Sequence, residues 1–182
     1  MKINIKTPLT KEISSTLKSG DIVSITGFIY TARDAAHKRM LEEYEKTQKL
    51  PFDIKNQIIY YAGPSPAKPN SVIGSAGPTT SSRMDLYAPK LLDMGQIGMI
   101  GKGERNKDVI DAIKRNSAVY FGATGGAGAL IAKHIKKADV IAYDDLGAEA
   151  IFKLYVEDFP SIVIIDSQGN NLYETERLKY QR

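Results

Sequence analysis

The chain has 182 residues, 42% hydrophobic and 25% charged, with a formal net charge of +4; this is the balance of one globular domain, expected over residues 1–182, and excludes a disordered or membrane-embedded chain. Lysines and arginines alternate with aspartates and glutamates, which reads as a solvated mixed surface with no nucleic-acid partner. Cysteine is absent and only His37 and His134 stand for histidine, which excludes disulfides and any iron–sulfur cluster ligated by this chain and argues against a zinc site of its own.

Met1-Lys-Ile-Asn-Ile-Lys-Thr-Pro8 reads as a short strand and a turn. It lacks the apolar stretch of a secretory signal, and no apolar run approaches the roughly 20 residues of a membrane span, so a cytoplasmic protein is expected. A short helix is expected over Glu12 to Leu17 and a strand over Asp21 to Thr26. Thr31 is expected to cap a helix from Ala32 to Gln48, on which Arg33, His37, Met40, Leu41 and Tyr44 share a face. Ile58–Ala62 reads as a strand, Gly63–Pro69 as a rigid loop and Ser71–Ser75 as a further strand. A helix is expected to start around Thr79–Ser82 and to end at Gly95. Next come a strand at Ile97–Ile100, a helix at Lys107–Arg115 and a strand at Ser117–Gly122. Gly125-Gly-Ala-Gly128 opens a helix through Ile135. Val140–Tyr143 and Ile162–Asp166 read as buried strands, with Glu149, Ala150 and Phe152 in a helical turn between them and a turn at Gln168–Asn171 ahead of a polar tail. Alternating strands and helices without repeats make an α/β domain.

The chemistry concentrates in Gly77-Pro-Thr-Thr-Ser-Ser-Arg-Met-Asp85 and Gly101-Lys-Gly103. On the expected helix, Thr79 and Arg83 are four residues apart on one face, beside free N–H groups of a first turn, where a carboxylate would meet a guanidinium and backbone donors together. The same spacing suits Thr79 or Thr80 as a cap and Arg83 in a surface ion pair. Lys102, between glycines at a strand end, suits either a ligand crevice or a surface turn. Arg33 and His37, one turn apart, suit an anion site in which His37 orients its neighbour or shuttles a proton; a core histidine fits as well. Asp34 suits the helix dipole. The run at 125–128 serves an anion cradle or a tight strand–helix crossover. As a set, these residues read as a receptor for a small dicarboxylate.

In order, Ile-Tyr-Thr-Ala-Arg-Asp-Ala-Ala-His-Lys-Arg, Tyr-Tyr-Ala-Gly-Pro-Ser-Pro-Ala, Ile-Gly-Ser-Ala-Gly-Pro-Thr-Thr-Ser-Ser-Arg-Met-Asp, Ile-Gly-Lys-Gly, Phe-Gly-Ala-Thr-Gly-Gly-Ala-Gly-Ala-Leu and Ala-Tyr-Asp-Asp-Leu-Gly-Ala-Glu-Ala resemble the β subunit, or C-terminal domain, of the iron–sulfur class I fumarases and L-tartrate dehydratases, from about Gly20 to Asp166. The resemblance implies a swivelling β/β/α domain and a hydro-lyase, the β subunit of a two-subunit enzyme hydrating fumarate to (S)-malate, inactive without its α subunit. It implies that Arg33, Arg83 and Lys102 hold the substrate carboxylates and that Thr79 takes part in proton transfer. It places a [4Fe–4S] cluster on a cysteine-bearing α subunit, in a heteromer such as an α2β2 assembly, with a homodimer of this chain also compatible. A tartrate dehydratase β subunit fits the same motifs, and a non-catalytic small-anion module is the rival from another class.

Overall fold

The computed structural model describes residues 2–180; residues 1, 181 and 182 of the expected domain lie outside the described residues. Seven strands, β1 (Lys2–Lys6), β2 (Ile22–Thr31), β3 (Ile58–Tyr60), β4 (Gly98–Gly101), β5 (Val119–Gly122), β6 (Ile135–Ala142) and β7 (Ile151–Ile165), form one sheet in the order β1-β2-β3-β4-β5-β7-β6, with a further β2–β7 pairing. β2, β3, β4 and β5 run parallel, and β7 runs antiparallel to both β5 and β2. The pairings therefore close a ring, β2-β3-β4-β5-β7-β2, with β1 and β6 attached outside it.

Period-two alternation with apolar residues on both faces follows from this closure. Ile58, Tyr60, Ile100, Val119 and Phe121 join the core inside the ring, with Val23, Ile25, Ile29, Leu154 and Phe159. Ile59, Tyr61, Met99 and Tyr120 face outward into a second core. Helices α2 (Asp34–Thr47), α3 (Ala88–Asp93) and α4 (Lys107–Asn116) cover it with Ala36, Met40, Leu91, Leu92, Val109 and Ile113. Two sheet layers and one helix layer result, the β/β/α arrangement expected. Helices α1 (Lys11–Thr16), α5 (Gly128–Ala132) and α6 (Leu172–Tyr180) are the remaining helices among the described residues. No helix among the described residues is long and apolar enough to cross a membrane.

Several boundaries differ from expectation, each for a local reason. The helix expected from Thr79–Ser82 to Gly95 is a 3₁₀ turn at Ser81–Met84 followed by α3, which carries proline in its first turn. Pro89 has no N–H to give and its ring would clash one turn back, so it starts a helix and cannot continue one. Ser71–Ser75 is not a strand: Ser65 N–H reaches Ser75 O at 2.9 Å and Gly74 N–H reaches Ser65 O at 3.1 Å, while Pro64 and Pro66 lack the donors a ladder needs. α5 stops at Ala132, and the strand expected at Val140–Tyr143 belongs to β6, an outer strand on which Val140 and Ile141 are exposed. Phe152, expected in a helical turn, lies in β7. Residues 144–149 alone form the 3₁₀ turn there.

α2 begins one residue beyond Arg33, whose backbone is extended, and Arg33 gives no side-chain cap. Thr31 does not cap it either: its hydroxyl accepts the Phe152 N–H at 3.2 Å and ties β2 to β7. The first turn is capped from a distance, by Glu149 Oε2 accepting the Ala35 N–H at 3.3 Å.

Candidate active site

Parallel strands leave their carboxyl ends on one edge, where open α/β sheets bind ligands. That edge carries Arg33, Thr79 and Lys102, with Arg83 on the 3₁₀ turn just beyond Thr79 and His37 buried in the first turn of α2. Arg33 follows β2, Thr79 is tied to the end of β3 by its N–H on Tyr61 O at 2.6 Å, Lys102 follows β4, and Ala123–Gly125 follow β5. Thr79 thus lies in an extended segment ahead of the 3₁₀ turn, and it does not share a helix face with Arg83.

Lys102 is fixed by its main chain. Ser81 N–H donates to Lys102 O at 2.9 Å and Lys102 N–H donates to Ser81 Oγ at 3.1 Å. Tyr120 Oη lies 2.9 Å from both Ser81 Oγ and Gly103 O. A methyl group at Gly101 would overlap Ser81 Oγ, so only glycine allows this approach. A Cβ on Gly125 would lie 3.6 Å from Lys102 Nζ, so the glycine turn at 125–128 borders the ammonium group. Among the described residues, Lys102 has no carboxylate partner.

The arginines are paired. Arg33 Nη2 lies 2.9 Å from Glu149 Oε1 and 3.8 Å from Asp34 Oδ1, and Arg83 Nη2 lies 3.2 Å from Asp34 Oδ2. Residues 49 positions apart in sequence, Arg83 and Asp34, meet directly, and Arg33 and Arg83 share a carboxylate. The hydroxyl of half-buried Thr79 makes no hydrogen bond among the described residues.

His37 is fully buried, with Nδ1 2.8 Å from Arg33 O and Nε2 without a partner. A carbonyl only accepts, so Nδ1 carries the proton. Burial, with Arg105 nearby adding to it, lowers its pKa from 6.5 to about 4. His37 is therefore neutral near pH 7 and closed to solvent, which fits orientation of the Arg33 backbone and not the shuttling of a proton. The unfolded chain takes up this proton near 6.5 and the fold only near 4, so the unfolded state binds more protons between them. Acidification through that window is expected to cost roughly 3 kcal/mol of stability. Urea unfolding at about pH 7 and about pH 4.5 measures it, and His37→Gln should flatten the difference.

A buried ion pair supports the site from below. Arg105 Nε donates to Asp85 Oδ1 at 2.6 Å, Asp85 Oδ2 accepts the Asn106 N–H at 2.8 Å, and the guanidinium lies between the rings of Tyr61 and Tyr120. Sequence reasoning missed this pair, because Gly-Glu-Arg-Asn has the composition of an exposed turn. It also missed Glu149 as a partner of Arg33; the only hint was an acid in a short apolar run, Leu146-Gly-Ala-Glu-Ala150.

The fold and this edge define a β/β/α domain whose parallel strands gather arginine, lysine and hydroxyl groups at one edge. Comparison with known proteins extends that description. The chain belongs to the family described as Fumarase C-terminus, which matches residues 1–176. It is 42% identical over 172 residues to the putative L(+)-tartrate dehydratase subunit beta of Methanocaldococcus jannaschii, covering 91% of this chain and 88% of that protein. It is 37% identical over 183 residues to the aerobic class I fumarate hydratase of Escherichia coli, covering 98% of this chain and 33% of that protein. To fumarate hydratase 2 of Leishmania major it is 37% identical over 177 residues, covering 95% of this chain and 31% of that protein. The chain therefore spans about a third of the length of these fumarate hydratases.

Proposed function

We propose that this chain is the β subunit of a two-subunit iron–sulfur hydro-lyase, one domain that grips a dicarboxylate and takes part in proton transfer during reversible hydration of fumarate to (S)-malate. The observation that carries this reading is the gathering of Arg33, Arg83, Lys102 and Thr79 at the carboxyl ends of parallel strands, in a family whose members include fumarate hydratases. Arg33 and Arg83 hold the substrate carboxylates. Removing a proton beside a carboxylate builds negative charge on it, which Lys102 and the arginines stabilise because they are already in place. Thr79 stands beside the reacting carbon, its hydroxyl without a hydrogen-bond partner among the described residues.

The residues of this chain do not fit a cluster. Cysteine is absent, and among the described residues no three His, Cys, Asp or Glu side chains gather to hold a metal ion. A [4Fe–4S] cluster is assigned to a cysteine-bearing α subunit, and no step here runs through it. A second reading, the β subunit of an L-tartrate dehydratase, is favoured by the match to 88% of the archaeal subunit's length.

Anaerobic co-expression with a cysteine-bearing α subunit, followed by fumarate hydration in the ultraviolet, tests the proposal. Hydration that needs both chains supports it. A complex that dehydrates tartrate and leaves fumarate untouched transfers the assignment to the second reading, and failure to form any complex leaves a small-anion binding module. In an active complex, Arg83→Ala is expected to raise KM and lower kcat, with kcat/KM falling about 10- to 100-fold, because a charge-assisted contact to the substrate is lost. Unchanged kinetics would remove Arg83 from the site.

A further inference from the structure

Two carboxylates of this chain already face the arginines assigned to the substrate. Asp34 stands between Arg33 and Arg83, at 3.8 and 3.2 Å, and Glu149 holds the other side of Arg33 at 2.9 Å while capping α2 through the Ala35 N–H. Three separate stretches of chain contribute: the start of α2, the 3₁₀ turn at Ser81–Met84, and the 3₁₀ turn ahead of β7. Exposed ion pairs of this kind contribute little, because solvent screens them. These are partly withdrawn: the side chains of Arg33, Asp34 and Glu149 are 22%, 32% and 24% exposed, and that of Arg83, at 51%, lies open to solvent.

Arg33 is confined on a further side. A Cβ on Gly63 would lie 3.0 Å from Arg33 Cδ and 3.1 Å from Nη1, so the guanidinium rests against bare backbone and cannot swing that way. Arg33 Nε and Asp34 Oδ1 are buried without hydrogen-bond partners. Native structures leave few such groups, so this cluster is held in an arrangement that local hydrogen bonding alone would not choose. Two guanidinium groups repel one another, and nothing in their own backbone segments would keep Arg33 and Arg83 together. A shared carboxylate does.

We propose that Asp34 and Glu149 are positioning residues, which hold Arg33 and Arg83 as a matched pair for the substrate carboxylates. Asp34 bridges the two guanidinium groups, and Glu149 anchors Arg33 to the start of β7. The inference rests on the reading of Arg33 and Arg83 as carboxylate-binding residues. Both carboxylates act through the arginines and need not touch the substrate.

The test uses the assembled αβ complex and calorimetric binding of succinate, a dicarboxylate with no double bond to hydrate, so that the readout is independent of turnover. Arg33→Ala, Arg83→Ala, Asp34→Ala and Glu149→Gln are each expected to weaken succinate about tenfold or more. Asp34→Asn keeps the shape and an acceptor oxygen, and it should recover part of the loss. In the Arg83→Ala background, Asp34→Ala should weaken binding much less than it does in the unmodified complex, because one of the groups through which it acts is gone. If neither arginine variant affects succinate, the carboxylate-binding reading itself fails. If the arginine variants weaken binding but Asp34→Asn, Asp34→Ala and Glu149→Gln do not, the positioning inference is overturned and that reading stands. Full additivity of Asp34→Ala and Arg83→Ala also overturns it, since Asp34 would then act independently of Arg83.

Discussion

Arg105→Met is expected to destabilise the folded chain by about 3–5 kcal/mol, because it leaves the Asp85 carboxylate buried without its counter-charge. The Arg105 side chain is fully shielded and that of Asp85 is 8% exposed, so solvent offers little relief. Methionine fills much of the volume between Tyr61 and Tyr120 and replaces none of the charge. The effect should appear as a lower urea midpoint with an unchanged slope. Adding Asp85→Asn to Arg105→Met should restore part of the loss, since a neutral amide is cheaper to bury and still accepts the Asn106 N–H. A loss below about 1 kcal/mol in the single variant would mean that the pair is not desolvated as described. The pair fastens Asp85, at the end of the 3₁₀ turn that carries Arg83, to the start of α4, where Asn106 caps the helix by accepting the Val109 N–H at 3.0 Å. Losing it should therefore also loosen the edge on which Arg83 sits.

Thr79→Val in the active complex is expected to lower kcat by about 10²- to 10⁴-fold, the range for losing a positioned proton-transfer group, with KM changing by only a few-fold. Valine matches threonine in shape. The Thr79 backbone is set by its own N–H on Tyr61 O, and its hydroxyl has no partner among the described residues whose loss could disturb the fold. The substitution thus separates chemistry from architecture. Thr79→Ser should retain much more activity than Thr79→Val. If Thr79→Val works as well as the unmodified complex, Thr79 is part of the segment linking β3 to the 3₁₀ turn and nothing more.

The sequence by itself determined where most of the strands lie and where the polar chemistry is concentrated, but not which strands are buried: Val140 and Ile141, read as buried, are exposed on an outer strand. Ile58–Tyr61 and Val119–Phe121 read as strands from their residues alone, whereas the division of their successive side chains between two separate cores appears only in the fold, because a strand turns each side chain over. Gly77–Asp85 and Gly101–Gly103 stood out because glycines and hydroxyls beside an isolated cation are an uneconomical way to make an ordinary turn. The first half of β7 did not stand out. At Asp158, with φ of 51°, β7 bulges against β2, and inward-facing residues change from Leu154 and Val156 to Phe159 and Val163. A period of two that slips by one looks like no period at all.

The tertiary structure alone decided how the ring closes, because β7 pairs with both β2 and β5 only after the chain between them has folded. It alone decided the partners of the arginines. Arg33 meets Glu149 across more than a hundred positions, and Arg83 meets Asp34 across 49. A local pattern records whether a side chain faces water or protein. Which charge it will meet there depends on separate strands delivering their ends to one edge, and no window of sequence contains that.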